Sequence, residues 1–553
     1  MKRLIKGLKK KMTKLIKSIL EIIPLIFVHP SEKQLLNSCK WIDKLSRLYY
    51  ILIKFYPRYR LYCYFKRYLE RINKAITNKR VSQEHIIKLW VNHFEKSSDK
   101  DRFFETKLFF ESGFLTDEVS EMIMKYSQTT PSPIRRYNTV MDLSMRTFNC
   151  AKGYYPNFYN DRKKVLEKVA SESCTVPNLC KNNNNKKRLC LVTYMLAPDL
   201  FNSVQRVATM IANNLSEHYD EILVTSLETF HENKEEEKNT FFCYRKDYSK
   251  KYFDRIKGMF ADNVKVFIPD NLKYGERNQQ VLDQIYKFDP TVIIDMSDEM
   301  SAISYIYSKD YTVYYIPMRS NASSIDFTYI LGRTWKYEEG NKKFRSIDIA
   351  KVKEWMFPEY VPNRSNDYTK KDIGVPDDSF VIASIGLNDK TYSNHLSDLI
   401  CGLLNENTKM IWLLVGGGVS SYVKEKYSEL IASKRIIERG FESNLTGLCA
   451  ACDVHIRPNM TGGSGATAIA CQSGLPVVMT DYVCDAMRWL GRDFSSLHTD
   501  EDMIAEIKRL FEDGDYYQTQ KHRVLELVSK ATDSKYWWNK LYDILSENGR
   551  VEK

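Results

Sequence analysis

Between Thr461 and Thr467 the chain reads TGGSGAT, which puts three glycines in four positions. A backbone without Cβ atoms lets its N–H groups come close to a ligand. Ala466 to Cys471 predicts the opening turns of an apolar helix. The leading N–H groups of such a helix lack partners and carry a partial positive charge. Val454 to Arg457 predicts a short buried strand ahead of the turn, Gly474 ends the helix, and Leu475 to Met479 predicts the next strand. Strand, glycine turn and helix start together form an anion cradle suited to a phosphate or diphosphate. A plain strand-to-helix turn would also use glycine, but the order of elements on both sides favours phosphate.

Parallel sheets are the elements that place such a turn. Strands are predicted at Arg188–Tyr194, Glu221–Ser226, Val264–Ile268, Val292–Met296 and Val313–Ile316, with helices between them. Strands alternating with helices predict a parallel sheet with right-handed crossovers. Ligands sit at the carboxyl ends of such strands. Ala197 to Ser203, Ser297 to Glu299 and Met318 to Asn321 therefore face the working crevice. A second unit repeats the pattern at Ser379–Ile385, Lys409–Val415, Ile436–Arg439, Val454–Arg457 and Val477–Thr480. Trp335 to Pro362 reads as the connection between the units, and residues 234–252 as a charged surface insertion. The fold class expected is α/β: two Rossmann-like domains preceded by a mainly helical N-terminal region.

Residues 453–485 resemble the donor-diphosphate segment of GT-B glycosyltransferases. The match is carried by IRP, GGSG, CQSG and LPVVMTD. VPDDSFVIASIG and IWLLVGGG resemble the opening strands of the nucleotide-sugar half of that fold, and residues 516–546 its terminal helices. Many retaining members carry two Glu eight positions apart, where this chain has Thr461 and Ile469. It is more similar to a bacterial subgroup, group 1/4-like in its second half, whose turn reads GGG-x-S and whose next strand leads to Gly-Asp. Cys484-Asp485 stands in that place.

The resemblance implies a nucleotide diphosphate sugar as donor, with UDP and GDP both open, and no metal or other cofactor. Gly462, Gly463, Ser464, Gly465, Ala466 and Thr467 would hold the diphosphate. Relatives place Arg and Lys after the first strand of the second half; the loop here is GLNDK, so Lys390 is the candidate cation, with Arg457 the second. A solvated surface cation is the bland alternative for each. Gly386, Gly440 and Phe441 would serve nucleoside or sugar, and Asp485 would orient hydroxyls or cap the next helix. Inversion, slightly favoured by the missing Glu pair, needs a base on the acceptor hydroxyl. Asp199 is placed for it, with His231 and Asp298 behind it, although an Asp before a helix is commonly a cap.

The 553 residues carry a formal charge of +13, but eight Lys/Arg and no acid fall within residues 2–17. Elsewhere the signs nearly balance, which excludes a protein coated by nucleic acid. Leu4, Leu8, Met12, Leu15 and Ile19 share one face, so residues 1–28 predict a basic amphipathic helix lying on an anionic membrane surface. A solvated basic arm is the alternative. Glu21 and Pro24 break the apolar run, so it does not span. Residues 29–181 read as helical and aromatic, without a chemical motif, and could hold a protein partner; NNNNKK at 182–187 is a linker. Twelve scattered Cys suggest buried free thiols in a reducing compartment. Cys449-Ala-Ala-Cys452 has no second pair to make a zinc site.

The domains expected are thus 1–28, 29–181, 188–355 on the acceptor side, 363–515 for the nucleotide sugar, and terminal helices 516–553 packing back on the first Rossmann-like unit. The function expected is sugar transfer to a glycan, lipid-linked or protein acceptor, in the cytoplasm at the inner membrane face. A non-catalytic subunit that positions a partner glycosyltransferase or an acceptor is the alternative, and an epimerase on the same fold is weaker.

Overall fold

The computed structural model describes residues 83–99, 115–150, 155–178, 186–197, 203–227, 250–269, 274–297, 301–318, 325–335, 347–362, 366–386, 392–457, 463–481 and 484–548, with a few single positions besides. Residues 1–28 and the 182–185 stretch of the linker lie outside these. No described helix is long and apolar enough to cross a membrane.

Four helices come first: α1 (Gln83–Lys96), α2 (Asp117–Thr129), α3 (Pro133–Cys150) and α4 (Phe158–Ser173). Thr116 starts α2 by accepting the Val119 N–H on its hydroxyl, the usual service of a Thr cap. Arg136, buried in α3, ties the bundle by donating to the carbonyls of Ser127 and Thr130 and to the Glu172 carboxylate. Its charge is tolerated inside because it is paired and hydrogen-bonded.

The first sheet follows: β1 (Arg188–Thr193), β2 (Glu221–Ser226), β3 (Val264–Phe267), β4 (Val292–Met296), β5 (Val313–Tyr315), β6 (Tyr329–Gly332) and β7 (Val352–Glu354). Its order is β3-β2-β1-β4-β5-β6-β7, all parallel. Between strands run α5 (Ser203–Leu215), α6 (Lys250–Lys257), α7 (Tyr274–Phe288) and α8 (Ala302–Tyr307). Alternation along each strand sends successive side chains to opposite faces. Cys190 and Val192 join one core with the α2–α4 bundle, α7 and α8. Leu189 and Leu191 join the other, with α5 and two C-terminal helices. The described part of the aromatic N-terminal region is therefore a face of this lobe. β6 and β7 escaped the sequence reading, and β7 falls inside the predicted connection. They are short and mostly half-buried, so neither shows a strand period.

The second lobe holds β8 (Phe380–Ile385), α9 (Asn394–Glu406), β9 (Met410–Val415), α10 (Ser421–Lys426), α11 (Ser428–Ala432), β10 (Ile436–Arg439), α12 (Leu445–Cys449), β11 (Val454–Ile456), α13 (Ser464–Gln472), β12 (Val477–Val478), α14 (Met487–Leu490) and α15 (Asp500–Glu512). Its order, β10-β9-β8-β11-β12, is again parallel and doubly wound. Cys449 and Cys452 are buried thiols in its core. α16 (Gly514–Thr532) and α17 (Ser534–Asn548) end the description. They run back to the first lobe, where Trp537, Trp538 and Leu541 share a core with β1, β4 and α5. The Tyr314 hydroxyl donates to Ile544 O at 3.1 Å, and the Trp355 indole N–H to Trp537 O at 2.9 Å. The protein is an α/β molecule of two Rossmann-like lobes following a helical region.

Candidate functional site

Strand order reverses between β8 and β11, and a ligand crevice opens beyond the carboxyl ends at such a switch point. Gly386 follows β8, Gly440 follows β10 and Arg457 follows β11, so the fold aligns these candidates along one sheet edge. Gly386 and Gly440 are exposed, and a Cβ on either would meet no atom of the described residues within 4 Å. Phe441 is 85% exposed beside them. The loop that carries it is tied by hydrogen bonds: Glu442 accepts from Asn444 N–H (2.8 Å), Arg439 Nε (3.0 Å) and Tyr368 Oη (3.3 Å). Burial would raise that carboxyl group, but these hydrogen bonds and the Arg439 charge hold it below the usual range.

Gly463 caps α13 with φ 79° and ψ 13°, a left-handed conformation that suits glycine. No side chain caps the helix at this position. The N–H groups of Ser464, Gly465 and Ala466 therefore open the helix without intrahelical partners. Gly463 is exposed and Gly465 and Ala466 are half-buried. A Cβ on Gly465 would meet no atom of the described residues within 4 Å. Behind the turn, Thr467 is buried and its hydroxyl accepts from Arg457 Nη1 at 3.0 Å.

The Ser464 side chain faces inward. Its hydroxyl donates to Glu359 Oε1 at 2.7 Å and accepts the Trp489 indole N–H at 2.9 Å. Its proton is thus fixed on Glu359, and Ser464 offers the cradle an amide, not a hydroxyl. Arg488 reaches the same Glu359 oxygen through Nη2 (2.6 Å) and Nε (3.2 Å). Burial disfavours the Arg488 charge, yet Glu359 and then Asp485 hold its pKa above the usual range. Asp485 is half-buried at the start of this segment and does not cap α14, whose N-cap is Ala486 without a side-chain bond. Glu359, Arg488 and Trp489 were missed in the sequence. Glu359 lies 105 positions from Ser464 and 129 from Arg488, and no local pattern links residues so distant.

Asp199, His231, Asp298, Lys390 and Gly462 lie outside the described residues. Next to the Asp298 loop, buried Asp295 accepts the Ser297 N–H at 2.7 Å and the Tyr307 hydroxyl at 2.5 Å. Burial pushes this carboxyl group up, against those hydrogen bonds.

His455 in β11 is buried, with Nδ1 at 3.1 Å from Ala383 O, which fixes the tautomer as an Nδ1–H donor. Burial lowers its pKa to about 4, aided by the Arg457 charge. The unfolded histidine takes its proton near pH 6.5 and the folded one does not. Stability is therefore full above about pH 6.5 and falls as pH drops towards 4, by about 3 kcal/mol at 1.4 kcal/mol per pH unit. Urea midpoints from pH 7 to 4 should show H455Q losing correspondingly less than the wild type over this window. Parallel curves would show that His455 stays protonatable in the fold.

No family model matches the chain, and no curated protein matches it either. Among solved structures it is similar to HepE from Anabaena in complex with UDP and glucose: 15% identity, 66% of this chain and 100% of that one, TM-score 0.46. An O-GlcNAc transferase mutant from Thermobaculum terrenum is 11% identical over 92% of this chain and 97% of its own, TM-score 0.49. The pneumococcal O-GlcNAc transferase GtfA in complex with UDP and GlcNAc is 9% identical over 66% and 99%, TM-score 0.44. Likenesses this weak say nothing of this chain's chemistry.

Proposed function

We propose that this chain is a GT-B glycosyltransferase that moves a sugar from a UDP- or GDP-sugar to a glycan, lipid-linked or protein acceptor. The observation that supports it most is the start of α13, at the carboxyl edge of a parallel sheet: a left-handed glycine cap, no side-chain cap, and no described atom within 4 Å of a Cβ on Gly465. In this reading the amides of residues 463–466 take up the charge that develops on the diphosphate as the C1–O bond of the sugar breaks. The hydrogen-bonded loop presents Phe441 as a face for the nucleobase. Asp199 takes the acceptor proton if transfer inverts, and no metal is needed. Residues 1–28 hold the enzyme on the inner face of an anionic membrane, and residues 29–181 meet acceptor or partner.

A non-catalytic subunit is favoured by one observation: Ile469, where many retaining enzymes carry Glu, packs against the core of the second lobe. Calorimetry with UDP and GDP, followed by hydrolysis assays with their sugars, separates the two readings. Binding with slow donor hydrolysis supports the enzyme. Binding without hydrolysis or transfer from any donor supports the subunit. No binding of either nucleotide removes the enzyme and favours the subunit.

A further inference from the structure

We infer that Arg488 supplies the positive charge of the cradle and that Glu359 is the residue that positions it; this rests on the donor-diphosphate reading above. The bare amides at the start of α13 carry only a fraction of a charge, and a leaving diphosphate calls for a full cation nearby. Ser464 cannot add a donor, because its hydroxyl proton already rests on Glu359. Arg457 is buried, 3% exposed, and bonded to Thr467 behind the turn.

Arg488 is differently placed. Its guanidinium and the Ser464 hydroxyl meet on one oxygen, Glu359 Oε1, so it stands one shared acceptor away from the first residue of α13. The two described bonds use Nε and Nη2 on that single oxygen. An arginine carries five donors in a flat fork, so one edge can stay on a carboxylate while the other meets an anion. Exposure divides the pair in that sense: the Glu359 side chain is 6% exposed and that of Arg488 32%. The carboxylate is inside, while about a third of the Arg488 side chain stays exposed.

Glu359 is itself held. Its N–H donates to Ala531 O at 2.9 Å, near the end of α16. Its carboxylate thereby joins three parts of the chain: the connection between the lobes, the first turn of α13, and α14. Removing Arg488 alone would leave a buried carboxylate without its ion partner. A variant that removes both charges avoids that cost.

The test compares uridine, UMP and UDP (and guanosine, GMP and GDP) by calorimetry on the full chain, with R488K, R488Q, E359Q and the R488Q/E359Q double variant. We expect R488Q and the double variant to weaken UDP binding tenfold or more, to leave uridine unchanged, and to lower the wild-type gain from uridine to UDP. R488K should recover part of that gain, since it keeps a charge without the fork. E359Q should lose less than R488Q, because the cation remains but is looser. A double variant with a wild-type melting temperature that binds UDP as the wild type does would overturn the inference. Equal loss of uridine and UDP in every variant overturns it too, because that marks a purely structural pair. Should the wild type bind no nucleoside diphosphate, the donor reading fails and the role of Arg488 with it; intact wild-type binding beside unaffected variants removes only Arg488.

Discussion

Replacing Gly465 by leucine should abolish nucleoside diphosphate binding while leaving the protein folded. Glycine inside a helix costs about 1 kcal/mol relative to alanine, and leucine is among the best helix formers. The backbone of Gly465 does not need glycine, since its φ is not positive. Packing among the described residues does not need it either, because an added Cβ would touch none of their atoms within 4 Å. In the ligand-free protein G465L is therefore expected to melt within about 2 °C of the wild type, a surface-type change of a few tenths of a kcal/mol. That volume is where the proposed reading puts the diphosphate. A leucine filling it should weaken UDP or GDP binding at least a hundredfold, about 2.7 kcal/mol. Calorimetry checks affinity, and scanning calorimetry checks the fold. If G465L binds UDP as tightly as the wild type, the phosphates lie elsewhere.

The second large effect is on stability. Trp355 is 2% exposed, with ring centroids 6.3 Å from Phe357 and 6.2 Å from Trp538. Its indole N–H bonds to Trp537 O. It thus joins the end of β7 to the last helix, and W355A removes ring, hydrogen bond and packing at once. Buried Trp-to-Ala changes cost about 3–5 kcal/mol, so W355A should lower the unfolding free energy of the first lobe, read from denaturant curves, by that amount. W355F keeps most of the contact area and should lose about 1–2 kcal/mol, the worth of a buried hydrogen bond plus a smaller ring. An unfolding free energy for W355A within about 1 kcal/mol of the wild type would mean that the terminal helix is not anchored there. The same assay on a chain ending before Ser534 should show the first lobe losing at least as much, since Trp538, Leu541 and Leu545 leave its core together.

The glycine turn was legible because its signal is local. Strand, small residues and apolar helix are adjacent in the chain, and the left-handed cap at Gly463 follows from residue type. Seven of the site's expected positions illustrate both sides of this. Gly463, Gly465, Gly386 and Gly440 have the openness that the reading requires. Ser464 was expected to offer its amide, and its hydroxyl turns inward because a buried carboxylate from the connection lies behind it. Arg457 is bound behind the turn, and Phe441 is the exposed aromatic of the edge. Strands β6 and β7 went unread because they are too short to show a period.

By itself the sequence determined the alternation of strands and helices, the two parallel sheets and the place of the glycine turn. The alternation and the turn rest on interactions between residues a few positions apart, and strands joined by helices then pair in parallel, although the paired residues are far apart in the chain. Only the tertiary structure decided that the helical region supplies one face of the first sheet and that Glu359 joins Arg488 to Ser464. Those pairings span a hundred residues or more. Such partners are selected by the shape and charge of the packed lobes, which no stretch of the chain carries alone.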